Sequence, residues 1–92
     1  SDLIEKISRD YTKKFCNSIG FGLSKESAMN FSYSENKQIF AKRKGVENIN
    51  KDLLANKIAN SVINSCGYQL NLFGDKDIKE FANLYLSIDK EN

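Results

Sequence analysis

The amino-acid sequence predicts an all-α fold, a compact bundle of four helices in a single helical domain spanning residues 1–92. Three observations predict it. Apolar residues recur at intervals of three and four along most of the chain, which is the spacing of one helix face. Capping residues and glycines stand between these segments, where helices begin and end. A length of 92 residues suits one apolar core and is short for two independent domains.

The first helix is predicted over residues 2–18, with Ser1 or Asp2 as its N-cap and Gly20 as the left-handed residue that ends it. In the following connection, Phe21 and Leu23 are expected to turn into the core. The inner face of the helix carries five large apolar residues: Ile4, Ile7, Tyr11, Phe15 and Ile19.

The second segment, residues 24–44, carries two competing patterns. Ser24 is a good N-cap, and Ala28, Phe31 and Ile39 fit one side of a helix. The serines at 32 and 34 predict that this helix is broken or bent there, which would raise the number of helices to five. Alternating apolar residues also fit a strand pair, so the structural alternative is an α+β fold with a hairpin around residues 29–43.

The third helix, residues 52–66, has the strongest pattern and is predicted to be the centre of the bundle, with Asn50 as its cap and Gly67 as its stop. So wide an apolar stripe needs partners on more than one side, and we expect Ile58 and Val62 to be fully buried. Its apolar residues are Leu54, Ala55, Ile58, Ala59, Val62, Ile63 and Cys66.

The last part of the chain is predicted to be an extended connection followed by a fourth helix. The connection runs to Gly74, and the helix from Asp75, its predicted N-cap, to about Ser87. The helix has an inward stripe of five residues: Ile78, Phe81, Ala82, Tyr85 and Ile88.

The composition restricts the chemistry available to the chain. It contains no His, so it lacks the commonest general base and the commonest zinc ligand. We therefore expect no catalytic residues, no cofactor, no metal site and no small-molecule substrate, and the protein is not expected to be an enzyme. The sequence shows no signal peptide, membrane span or lipidation motif, which favours a cytoplasmic protein without a membrane partner.

The two cysteines, Cys16 and Cys66, match no metal-binding spacing. The leading interpretation is a pair of free thiols, buried as small hydrophobic side chains. A redox-responsive disulfide is the alternative, because an up-down bundle would place both residues at the same end.

Six apolar residues predict a surface that binds another protein or a second copy of the chain. Four of them fall within seven residues of the extended connection, and two lie outside the inward stripe of the last helix. A small non-enzymatic interaction or accessory domain is therefore the leading functional hypothesis. The six residues are Tyr68, Leu70, Leu72, Phe73, Leu84 and Leu86.

The alternative hypothesis is a nucleic-acid-binding domain of the helix-turn-helix type. If the second segment is split, Asn36, Lys37 and Gln38 would occupy the base-reading positions of its second helix. Lys42, Arg43 and Lys44 would then contact phosphates. The net charge of +2 is small for such a domain, which makes this the weaker hypothesis.

Overall fold

The structure is a computed structural model that describes residues 2–92, so the capping candidate Ser1 lies outside the described residues. The all-α prediction is confirmed. Between residues 2 and 92 there is no strand, and the predicted hairpin is therefore absent. The helices are α1 (Asp2–Gly20), α2 (Lys25–Phe40), α3 (Lys51–Cys66) and α4 (Gly74–Glu91), with short 3-10 turns at Val46–Asn48 and Gly67–Leu70.

The central helix α3 packs against both α1 and α4, and α1 also packs against α2. Three contacts join α1 to α3, and from one contact to the next the residue numbers rise in both helices. The contacts are Glu5–Lys57, Thr12–Ser61 and Cys16–Cys66. Those two helices are therefore parallel. Asn36, late in α2, contacts Ile7, early in α1. Lys51, at the start of α3, contacts Asp89, late in α4. Hence α2 and α4 run in the opposite direction to α1 and α3.

The core forms around α3, as its pattern predicts. Ile58 and Val62 are both 0% exposed, which confirms that prediction. The inner faces predicted for α1 and α4 are also confirmed, and they meet through aromatic rings. Tyr11 contacts Tyr85 edge-on, with 5.5 Å between ring centroids. Phe15 contacts Phe81 in the same way at 5.2 Å. Edge-to-face pairs add to the stability that burial of the rings provides.

Helix α2 differs from the prediction, because it is one continuous helix and its buried face includes only one of the three residues expected inside, Ala28. Phe31 and Ile39, expected inside, are 48% and 50% exposed. The buried face instead follows a four-residue spacing that includes two polar residues: Ala28, Met29, Ser32, Tyr33, Asn36 and Phe40.

One polar side chain on that buried face, Asn36, explains the difference. The Asn36 amide donates to the Ile7 carbonyl oxygen at 3.1 Å and to Asp10 Oδ2 at 2.9 Å. These bonds satisfy a buried polar group that would otherwise be costly, so Asn36 can occupy a core position. Ser24 caps the helix as predicted, since its Oγ accepts from the Ser27 N–H at 3.1 Å.

The left-handed residue that terminates α1 is Gly22 and not the predicted Gly20. Gly22 has a left-handed φ of 100°. Its N–H donates to the Ile19 carbonyl oxygen at 2.9 Å, and the Leu23 N–H donates to that of Ser18 at 3.1 Å. These two bonds are those of a Schellman motif, in which the residue after the helix must tolerate a positive φ.

The beginning of α4 also corrects the prediction. The predicted cap, Asp75, lies inside the helix, which begins at Gly74 and continues to Glu91. Asp77 Oδ2 instead accepts a hydrogen bond of 2.8 Å from the Phe73 N–H. The carboxylate of Asp77 thus reaches back to the residue before the helix and satisfies its backbone N–H.

Candidate functional site

Two turns place large apolar side chains in solvent at one end of the bundle. Because α1 and α3 are parallel, the turns that follow them lie at the same end. We call this the apolar end and define it by Phe21 and Leu23 from the first turn, and Tyr68 and Phe73 from the second. Their exposed fractions are 86%, 38%, 67% and 60%, respectively. Four exposed large apolar residues at one end are a candidate interaction surface.

The turn that carries Tyr68 folds tightly onto the end of α3. It is a 3-10 turn and not the predicted extended connection, and Gly67 is in right-handed conformation with φ −55°. The Leu72 N–H donates to the Gly67 carbonyl oxygen at 2.9 Å. A Cβ atom at Gly67 would lie 2.6 Å from the Leu72 carbonyl oxygen. Glycine is therefore required for this close approach of backbone to backbone.

The other turn of the apolar end overturns an expectation from the sequence. The sequence predicts Phe21 and Leu23 in the core, yet both are exposed, and Phe21 is the most exposed of the large apolar residues in the described chain. Phe21 and Leu23 line a groove of about 440 Å³ that extends to Lys14 and to the exposed Phe31. The apolar surface thus continues from the end of the bundle onto one of its sides.

A disulfide between Cys16 and Cys66 lies beneath the apolar end, which corrects the interpretation of two free thiols. The two Cα atoms are 5.8 Å apart, and 50 positions separate the residues in sequence. Cys66 is 2% exposed and Cys16 is half-buried. A cysteine on the apolar face of a helix is expected both for a buried free thiol and for a disulfide, so the sequence does not distinguish them. Only the parallel packing of α1 and α3 brings the sulfur atoms together.

The other predicted interaction residues do not join Tyr68 and Phe73 in a single surface. Leu70 and Leu72 are half-buried and pack against the core. Leu86 is also half-buried against the core, on α4. Leu84 is 37% exposed, but it lies ten residues into α4, about 15 Å along the helix from the apolar end.

The opposite end of the bundle carries the basic residues predicted to contact phosphate. We call it the basic end and define it by Lys42, Arg43 and Lys44. All three are exposed in the turn after α2. The Arg43 guanidinium lies 5.3 Å from the centroid of the Phe40 ring, a cation–π contact. Among residues 2–92, none of the three forms an ion pair.

Two of the three residues predicted to read bases are engaged within the protein. Asn36 is 4% exposed and bonded to α1. Lys37 donates to the Tyr33 hydroxyl at 3.2 Å, and its ammonium lies 5.5 Å from the centre of that ring. Since α2 is continuous, residues 24–44 do not form a helix-turn-helix.

Asp89 is the centre of a polar network at the basic end. It accepts from the Tyr33 hydroxyl at 2.6 Å and from Lys51 Nζ at 2.6 Å. Partial burial by itself would raise the pKa of Asp89, but the hydrogen bonds from Lys51 and Tyr33 lower it overall. Burial and the bond to Asp89 raise the pKa of Tyr33, which therefore stays a neutral donor.

No helix within residues 2–92 combines the length and apolar character needed to span a bilayer. These residues also form no group of three or more His, Cys, Asp or Glu side chains that could hold a metal ion. Comparisons with protein-family models, curated proteins and solved structures found no match.

Proposed function

We propose that the protein is a small non-enzymatic interaction domain that binds a protein partner, or a second copy of itself, through the apolar end. The observation that carries this proposal is the exposure of Phe21, Leu23, Tyr68 and Phe73 on two turns at one end of the bundle. Aromatic side chains are enriched in protein interfaces and supply much of their binding energy.

The backbone beneath these side chains supports the proposal. Both turns are closed by backbone hydrogen bonds, from Leu23 to Ser18 and from Leu72 to Gly67. A surface whose backbone is already ordered loses less conformational entropy on binding.

The proposal is tested with the triple variant Phe21→Ser/Tyr68→Ser/Phe73→Ser. We expect it to lose at least about tenfold in affinity for any partner that the wild-type chain captures from native lysate. If the partner is a second copy, light scattering over a concentration series should show association that the variant lacks. Circular dichroism checks that the variant keeps its helices.

The matched control is Ile39→Ser/Leu53→Ser, which removes apolar side chains that are 50% and 60% exposed elsewhere on the molecule. It should bind as the wild type does. Retention of the partner by the triple variant, or equal loss in the control, would contradict a role for the apolar end.

The alternative function is nucleic-acid binding by the basic end. It is supported by three consecutive exposed cations, Lys42, Arg43 and Lys44, that form no ion pair within the described residues. Phosphate contacts by such residues would make binding fall steeply with salt. We expect no salt-dependent binding of the chain to duplex DNA or RNA in fluorescence anisotropy. Salt-dependent binding that Lys42→Ala/Arg43→Ala/Lys44→Ala abolishes would favour the alternative.

The disulfide is evidence about the cellular compartment in which such a domain functions. A cytoplasmic location is a prediction from the sequence alone. The Cys16–Cys66 bond supports an oxidising compartment instead, because thiol systems of the cytosol keep most cysteines reduced.

A further inference from the structure

We propose that the Cys16–Cys66 disulfide controls the apolar end: the oxidised bond holds the α3–α4 turn in its binding form, and reduction by a dithiol releases it. This inference rests on the proposed function of the apolar end. It also concerns a property of the free chain that can be measured without any partner.

The first argument is where the disulfide stands in the chain. Cys66 is the last residue of α3, and the turn that carries Tyr68 begins at the next residue. Gly67 is bonded to Leu72 across that turn and is packed against Ile63. The backbone of the turn is therefore a direct continuation of the residue that the disulfide ties to α1.

The second argument is that, among the described residues, no side-chain hydrogen bond or ion pair joins α1 to α3 near the apolar end. Side-chain hydrogen bonds and ion pairs between different helices of the described chain lie at the basic end or near the middle of the bundle, with Thr12–Ser61 nearest to the disulfide. Beyond Thr12, α1 and α3 are joined by the disulfide and by apolar contacts alone.

The third argument is chemical access. Cys16 is half-buried and Cys66 is 2% exposed, so Cys16 is the more exposed residue of the pair and the one we expect a reductant to attack. A thiolate of the dithiol attacks the sulfur of Cys16, forms a mixed disulfide and displaces the Cys66 thiolate, which takes a proton from water. The second thiolate of the reagent then attacks the reagent's other sulfur, which is bonded to Cys16 in the mixed disulfide. The Cys16 thiolate leaves and is protonated. The dithiol supplies both electrons and departs as a cyclic disulfide.

The experiment is amide hydrogen exchange by mass spectrometry on the full chain, oxidised and after dithiothreitol, with reduction verified by a mass gain of two hydrogens. We expect exchange in residues 67–73 to become at least about tenfold faster on reduction, because local opening sets the exchange rate there. Residues 34–40 of α2, which lie toward the basic end, should remain protected over the short labelling times at which residues 67–73 of the reduced chain exchange, because their exchange requires a larger opening of the fold. The double variant Cys16→Ala/Cys66→Ala should show the pattern of the reduced chain without any thiol.

Two outcomes would overturn the proposal. Unchanged exchange in residues 67–73 would mean that the turn keeps its form without the disulfide. Exchange of residues 34–40 at the same short labelling times would mean that the bond stabilises the whole fold and not this end. Neither outcome depends on partner binding, whereas the proposed function is judged by the Phe21→Ser/Tyr68→Ser/Phe73→Ser variant, so the two failures are distinguishable.

Discussion

The two ends of the bundle are held together by different kinds of interaction. At the basic end, links between helices are polar: Tyr33 and Lys51 both donate to Asp89, and Asn36 donates to α1. At the apolar end, a single disulfide joins α1 to α3, and packing supplies the rest.

The difference has a consequence for robustness. Several weak polar links can be lost one at a time, and each contributes a modest share of stability. A single covalent link is strong, but breaking it leaves only packing between α1 and α3 at this end. The end that exposes apolar side chains is thus also the end where a covalent bond joins two helices, and three variants test this contrast.

The largest effect is expected from Cys16→Ala/Cys66→Ala. Removing a cross-link between residues 50 positions apart restores conformational entropy to the unfolded chain, which the chain-entropy relation puts at about 4 kcal/mol. Urea unfolding of the oxidised wild type and the variant measures this loss. A loss no larger than that of a single surface substitution would show that the disulfide contributes little to the stability of the fold.

A smaller loss is expected from Gly67→Ala, because the new Cβ would meet the Leu72 carbonyl oxygen at 2.6 Å. Displacing that backbone should cost about 1 to 3 kcal/mol and loosen the turn that carries Tyr68. The matched control is Gly20→Ala, where nothing lies within 4 Å of the added atom. Thermal unfolding should place the control within about 0.5 kcal/mol of the wild type, and equal losses in both variants would count against the tight turn.

The smallest effect is expected at the basic end from Asp89→Asn, which weakens the bonds from Tyr33 and Lys51 and should cost about 1 to 2 kcal/mol at neutral pH. The pKa of Asp89 is lower in the folded chain, so folding favours the charged carboxylate. This stability is present above the ordinary carboxyl pKa of about 4 and is lost as the pH falls through the lower pKa of the folded state.

Urea unfolding at neutral and strongly acidic pH tests this, and the difference between wild type and Asp89→Asn should shrink in acid. Glu80→Gln is the control, an exposed carboxylate on the same helix. If the difference stayed constant with pH, the Asp89 carboxylate would not be the source of the stability.

The candidate site was predicted from the sequence only in part. Tyr68 and Phe73 were expected at an interaction surface because large apolar residues crowd that segment. The sequence predicts Phe21 in the core, because a phenylalanine is usually buried and nothing about the residue indicates that a Schellman turn directs it outward. The turn depends on Gly22, whose positive φ appears only when the path from α1 to α2 is known.

The sequence by itself determined the helical class, the inner faces of α1, α3 and α4, and the caps at Ser24 and Asn50. These features follow from local periodicity and from side chains that bond to nearby backbone, so neighbouring residues are sufficient to specify them. The tertiary structure alone decided which face of α2 is buried and that Cys16 and Cys66 are joined. Asn36 becomes a core residue only because α1 presents a carbonyl and a carboxylate to it. The disulfide forms only because α1 and α3 are parallel, a relation between residues 50 positions apart that no local pattern contains.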